Sequence, residues 1–148
     1  MAYPIRNAKG VKMTKFKRLA ASIMAAATLA TSAIGAMSAS ASKERFYFDL
    51  GGQGQSAWSA GNEKDDNEQT AYIHPETGYI TSTAYEYFTL YKAQNATTAN
   101  KLSNSKKISS LGVTYTIPYT TYRGTGSISY IHATSSYYGS DVSGYWYA

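Results

Sequence analysis

The chain has 148 residues, with 14 basic and nine acidic side chains, a formal net charge of +5 and no cysteine. The absence of cysteine excludes disulfides, thiol catalysis and thiolate metal sites. The positive charge would favour nucleic acid as a partner, but its position along the chain excludes that reading.

Residues 1–41 are predicted to be a secretory signal peptide. A basic segment precedes an uncharged run at 19–37, and the sequence ASA that ends the segment fits a cleavage site. We therefore expect a leader helix that is removed on export, with residues 1–12 as an upstream extension and Met13 as an alternative start. An uncleaved membrane anchor is the other interpretation, since the run is about long enough to span a bilayer.

The leader also explains the net charge. It contains six of the basic residues and none of the acidic ones, so its removal leaves eight basic and nine acidic side chains, a net charge of −1. The positive surface that nucleic acid binding requires is therefore absent from the exported chain. We also expect no stable membrane span after cleavage. Export without disulfides is more typical of a bacterium than of an animal secretory pathway.

Residues 42–148 are long enough for a single domain but poor in aliphatic side chains. They contain two valines, six isoleucines and four leucines, together with 14 tyrosines and both tryptophans. We therefore predict that tyrosine rings supply much of the core, each with its hydroxyl at the edge. About two thirds of the tyrosines should then be partly buried or paired across strands.

Alternating apolar and polar side chains predict the first strands. The segment RFYFDL (45–50) is the first, and a loop rich in glycine and charge separates it from TAYIH (70–74). The sequence HPETGY (74–79) is predicted to turn the chain into a hairpin, with Gly78 in a left-handed conformation.

A long strand is predicted to follow at 79–92. One of its faces carries tyrosines and threonines, and the other is apolar except for Glu86. A bulge near Tyr85, or exit of the strand from the core at that point, would accommodate this carboxylate. The tyrosines of the polar face either contact a partner or stabilise the sheet.

The second half of the domain begins with a polar connection at 93–105. Strands are predicted at 113–117, 127–134 and 142–148, and Pro118 either ends the first of these or marks it as an edge strand. No helical spacing of apolar residues appears after the leader. Six or seven short strands predict an all-β fold, an antiparallel β-sandwich or a small barrel over residues 42–148.

Exposed aromatic rings are the first candidate site, because such rings stack on sugars. Trp58 lies in the glycine-rich loop, and Trp146 is expected to fill the core from the last strand. The alternative is that the rings are structural. The candidate ligand-binding residues are Trp58, Tyr85, Tyr87, Tyr137 and Tyr138.

The segment NEKDDNEQ (62–69) is the acidic cluster of the domain, and it offers the oxygen ligands that calcium prefers. Its spacing is not that of an EF-hand, and a solvated loop is the alternative. The candidate calcium ligands are Glu63, Asp65, Asp66 and Glu68. His74 and His132 are expected to be strand residues. Since no strained nucleophile motif is present, we predict no catalytic residue and no enzyme.

Two stretches carry a resemblance: EKDDNEQTAYI followed by a glycine turn, and the closing SYYGSDVSGYWYA. They resemble small exported proteins of Firmicutes that share a signal peptide, a Lys-Asp segment before a strand and a closing V-S-G-x-W strand. The resemblance implies an exported β protein of a Gram-positive bacterium, with no settled activity. The chain is more loosely similar to lactococcin-972-like bacteriocins, which are also cysteine-free, aromatic-rich and β-structured, although they are shorter and have a different N-terminal pattern.

These observations lead to three hypotheses of function. The first is a secreted or loosely wall-associated, non-enzymatic β-sandwich that binds an extracellular glycan or protein. The second is a secreted bacteriocin-like antimicrobial protein, and the third is a secreted hydrolase.

Overall fold

The computed structural model describes residues 42–136 and 138–148. The predicted leader at 1–41 and the candidate Tyr137 lie outside these residues. The described chain is all-β, with nine strands in two antiparallel sheets that do not close into a barrel. A single short 3₁₀ helix occurs in this part of the chain, at Thr98–Asn100. No helix among the described residues is long and apolar enough to cross a membrane.

The first sheet has four strands. From one edge to the other they are β1 (Glu44–Leu50), β9 (Ser140–Tyr147), β4 (Thr70–Tyr79) and β7 (Tyr115–Pro118). β9 is paired on both sides, and β1 and β7 are edges. Pro118 is the last residue of the edge strand β7, which confirms its predicted role, because proline cannot donate a ladder hydrogen bond.

The second sheet has five strands. Four of them follow in order as β2 (Ser56–Trp58), β8 (Ile128–Ser135), β5 (Glu86–Tyr91) and β6 (Lys106–Ile108), and β3 (Asn62–Glu63) also pairs with β8. The sequence did not predict β2, β3 or β6, which are two or three residues long. Such short segments carry too little alternation to be recognised locally.

The core is built from phenylalanine, tryptophan and aliphatic side chains of both sheets. Phe88 of β5 lies edge-on against Phe46 and Phe48 of β1, with ring centroids 5.5 and 5.2 Å apart. Trp146 is fully buried, as predicted, on the inner face of β9. These rings join the two sheets into one apolar cluster.

The prediction that tyrosine rings supply much of the core is wrong. Tyr119 is the one tyrosine in the buried cluster of the described chain. Strand alternation places most of the others on the outer faces, where the hydroxyl can reach water. Eight of the 13 described tyrosines are nevertheless partly or fully buried, close to the predicted two thirds. The exposed ones are Tyr47, Tyr79, Tyr87, Tyr122 and Tyr138.

The predicted hairpin at HPETGY does not form. β4 continues through this segment to Tyr79, with a register shift between Pro75 and Thr77 where it pairs with β9. Gly78 does have a positive φ of 135°, as predicted, but it lies within a strand and not in a turn. The bulge, and not a reversal, accommodates the proline and glycine.

The predicted long strand at 79–92 is also wrong. Tyr79 ends β4 in one sheet, and Glu86 begins β5 in the other. Between them, the hydroxyl oxygen of Thr81 accepts hydrogen bonds from the backbone N–H groups of Thr83 and Ala84, at 3.2 and 2.9 Å. This local side-chain turn competes with the ladder and moves the chain from one sheet to the other.

Candidate functional site

Three of the predicted aromatic residues lie on the outer face of the five-stranded sheet, but their rings do not form a flat platform. Tyr85 and Tyr87 meet at an interplanar angle of 89° with centroids 5.4 Å apart. Trp58 packs at 73° against Tyr91 and 4.3 Å from the His132 ring. Only Tyr87 of the three candidates is exposed. Because the rings cover one another, their arrangement is that of structural cross-strand packing.

The remaining aromatic candidate, Tyr138, is exposed in the segment between β8 and β9. Its backbone carbonyl accepts a hydrogen bond from the Ser136 hydroxyl at 3.4 Å. Trp58, Tyr91 and His132 form a group of contacting rings, which we call the Trp58 cluster. In that cluster, partial burial lowers the pKa of His132, so its imidazole favours the neutral form.

The predicted calcium ligands do not converge on a cation position. Asp66 accepts hydrogen bonds from the Lys64 ammonium and from the Glu68 backbone N–H, each at 2.9 Å. The Glu68 carboxylate accepts the Tyr72 hydroxyl, which raises the pKa of Tyr72 to about 12. Glu63 and Asp65 are exposed. Over 42–136 and 138–148, no three histidine or acidic side chains are grouped to hold a metal ion.

A concave site lies instead on the four-stranded sheet. It has a volume of about 410 Å³, and we call it the acidic cleft. Three strands line it, together with the glycine segments that follow β1 and precede β9. Its lining residues are Tyr47, Asp49, Leu50, Gly51, Tyr79, Gly139, Ser140 and Asp141.

The polar wall of the acidic cleft comes from one row across three strands. Asp49 of β1 is opposite Asp141 of β9, which is in turn opposite Tyr79 of β4. The Tyr79 backbone N–H donates to Asp141 Oδ1 at 2.9 Å. Tyr47 precedes Asp49 by two residues and shares its outer face. The two tyrosines are 66% and 62% exposed, so their rings are available to a ligand.

Two glycines allow this arrangement. A Cβ on Gly78 would lie 2.2 Å from the carbonyl oxygen of Asp141, and one on Gly139 would lie 3.0 Å from the carbonyl oxygen of Gly51. Only glycine therefore lets β4 approach β9 closely enough to place Tyr79 beside Asp141.

Behind the cleft lies a buried carboxyl. Glu86 is wholly buried, its Oε1 accepts the Ser140 hydroxyl at 3.2 Å, and its Oε2 has no hydrogen-bond partner in the described chain. Burial raises the pKa of Glu86 to about 8, and the nearby charges of Asp141 and Asp49 add to the increase. The predicted bulge or strand exit is therefore wrong, because the side chain lies inside the sandwich and favours the neutral form.

The described residues that line the cleft supply two carboxylates and no basic side chain. The nearest basic residues in sequence are engaged elsewhere: Arg45 Nη1 pairs with Glu76 Oε2 at 2.9 Å, and Lys43 Nζ lies 3.7 Å from the centroid of the Tyr145 ring. The cleft therefore presents two carboxylates between two aromatic rings.

The candidate site residues chosen from the sequence include none of the four that carry this site, although Tyr79 is on the tyrosine face considered for contact with a partner. They come from three strands, and Asp49 and Asp141 meet only through the pairing of β1 with β9. One signal was present: aspartate is depleted in strands, so its occurrence in or beside two predicted strands is unusual.

Comparisons with known proteins give no further guidance. The chain matches no protein-family model, and neither the curated proteins nor the solved structures contain a match. The resemblances drawn from the sequence therefore remain predictions.

Proposed function

We propose that this protein is a secreted, non-enzymatic β-sandwich that binds an extracellular glycan in the acidic cleft. The observation that carries the proposal is the flanking of two facing carboxylates, Asp49 and Asp141, by two exposed tyrosines, Tyr47 and Tyr79. Tyrosine rings stack on the apolar faces of sugar rings, and carboxylates accept hydrogen bonds from hydroxyl groups. A volume of about 410 Å³ is within the usual range of ligand sites.

Binding is favoured over hydrolysis by the position of Glu86. Glycoside hydrolysis needs a protonated carboxyl that reaches the scissile bond, beside a second carboxylate. Glu86 is the described carboxyl with a strongly raised pKa, but it is wholly buried behind Ser140. It therefore has no contact with the space that a ligand would occupy.

Export is the second part of the proposal. The charge pattern and cleavage-like sequence at the start of the chain support a leader, and a secreted or loosely wall-associated protein of a Gram-positive bacterium is consistent with the absence of cysteine. A protein outside the cell would meet cell-wall and capsular glycans first.

The test is glycan-array binding followed by titration calorimetry with Tyr47→Ala and Tyr79→Ala. Each variant should weaken glycan binding about two- to tenfold, since a ring contact contributes about 0.5–1.5 kcal/mol beyond its buried area. Tyr122→Ala is the matched control, because Tyr122 is equally exposed but lies outside the cleft. A loss of binding in the control alone, or in none of the three, would refute the proposal. Growth inhibition of related strains without glycan binding would favour the bacteriocin hypothesis.

A further inference from the structure

We propose that the glycan bound in the acidic cleft carries protonated primary amines, as a polymer of de-N-acetylated hexosamine does. This inference rests on the proposed function and adds the chemical class of the ligand.

The charge of the acidic cleft is unbalanced among the described residues. Asp49 and Asp141 are opposite each other on neighbouring strands, where side chains start about 5 Å apart and like charges destabilise the sheet. Asp141 accepts the Tyr79 N–H, whereas Asp49 has no hydrogen bond or ion pair with any described side chain. A cation between the two carboxylates would remove their repulsion and gain two charge-assisted hydrogen bonds.

A buried carboxyl, that of Glu86, lies behind the cleft. Glu86 approaches the cleft through Ser140, its Oε2 is unpartnered among described residues, and both aspartates act on it electrostatically. Three carboxyl groups thus share one end of the sandwich, and the described residues that line the cleft include no basic side chain. Because Glu86 favours the neutral form, the negative charge comes from Asp49 and Asp141, and the buried, low-dielectric wall behind them strengthens the attraction of this pair for a cation.

The side chains of the cleft suit an ammonium better than a metal ion. No three acidic or histidine side chains of the described ranges are placed to hold a metal, and two carboxylates leave most of a calcium shell unfilled. An ammonium needs only three acceptors, and it also interacts with aromatic faces. Ammonium groups of this protein contact tyrosine rings elsewhere on its surface. Lys43 Nζ lies 3.7 Å from the ring centroid of Tyr145, and Lys107 Nζ lies 3.7 Å from that of Tyr85.

The strand pairing around the cleft favours a sugar over a peptide as the source of the amine. The centre of the cleft is Asp141 on β9, a strand paired on both sides, so its backbone hydrogen-bonding groups are already used. A peptide that binds by strand addition would pair with the free edge of β1, in the plane of the sheet, and not over the face that carries Asp141 and Tyr79. A sugar needs only the side-chain acceptors and rings that this face of the sheet presents.

The test compares two oligosaccharides that differ only in the amine. The protein is titrated at pH 5.5 with a glucosamine hexamer and with an N-acetylglucosamine hexamer, at low and moderate salt. We expect the glucosamine hexamer to bind at least tenfold more tightly, with a several-fold loss of affinity when salt is raised. Asp49→Asn and Asp141→Asn should each abolish the preference, whereas the exposed-loop control Asp65→Asn should retain it.

The outcomes separate this inference from the proposed function. If both hexamers bind equally, and binding is lost in Tyr47→Ala but unchanged in Asp49→Asn, the inference that the glycan carries amines is wrong. The proposal of glycan binding would remain. Binding of neither hexamer, with no other glycan bound, would overturn both. If trilysine binds in the cleft and the glucosamine hexamer does not, the amine belongs to a protein and the inference of an amino sugar is wrong. Retained melting curves for the aspartate variants establish that each is folded.

Discussion

The buried carboxyl of Glu86 should make the protein less stable as pH rises from 5 to 7. In the folded state, burial and the charges of Asp141 and Asp49 raise its pKa from the usual 4.5 to about 8. The unfolded chain therefore releases this proton near pH 4.5, and the folded chain keeps it until near pH 8. The contribution to stability is complete below the lower value and is lost as pH rises towards the upper one.

The size of the effect follows from the two pKa values. Each pH unit between them lowers the free energy of unfolding by up to about 1.4 kcal/mol. From pH 5 to pH 7 the loss is about 2–3 kcal/mol. For a domain of this size, the melting temperature should fall by roughly 10–20 °C over the same range.

Replacement of Glu86 by glutamine removes the titration while keeping the shape of the side chain. The amide oxygen of Glu86→Gln can still accept the Ser140 hydroxyl. The variant and the parent should be similar in stability at pH 5, within about 1 kcal/mol. At pH 7 the variant should be more stable by about 2–3 kcal/mol, because its unfolded state gains nothing from ionisation.

The assay is urea denaturation at pH 5, 6, 7 and 8, followed by the fluorescence of the buried Trp146. His132 acts in the opposite direction, because its lowered pKa removes stability as pH falls, but this contribution cancels between variant and parent. The control Glu63→Gln, at an exposed position, should keep the parental pH profile. Parallel profiles for the parent and Glu86→Gln would refute the reasoning.

Three further predictions concern the residues around the cleft and the acidic loop. Gly78→Ala should lower the free energy of unfolding by about 2 kcal/mol or more and weaken cleft binding in calorimetry, whereas Gly112→Ala, which has open space around it, should cost only about 1 kcal/mol. Asp49→Asn should raise the free energy of unfolding by up to about 1 kcal/mol, because it removes one of two like charges that face each other. The melting temperature should rise accordingly, and a lower melting temperature would contradict this prediction. Asp66→Asn should destabilise the fold by about 3 kcal/mol in urea titrations, since it leaves the wholly buried Lys64 unpaired, and the added change Lys64→Met should restore most of that loss.

The sequence by itself determined the strands in which alternation is strict. In β1, β8 and β9 the buried positions alternate along the strand, and these strands begin and end within two residues of their predicted bounds. Side chains of a half-buried strand alternate between the core and solvent. The alternation in the sequence therefore predicts both the strand and its buried face, whichever strand it pairs with. The burial of Trp146 and the edge position of Pro118 follow from the same local rules.

Only the tertiary structure decided where the chain changes sheets and which residues meet. The segment HPETGY stays extended because β9 supplies its hydrogen bonds, and the alternating residues from Tyr79 to Lys92 are divided because their two ends pair with different sheets. The acidic cleft depends on the same long-range pairing, which brings Asp49 opposite Asp141. Periodicity records which face of a strand is apolar, but it carries no information on register between strands that are distant in the chain. That register is set by the packing of both sheets around the Phe46–Phe48–Phe88 cluster, and it places the carboxylates, the tyrosines and the buried Glu86 at one end of the sandwich.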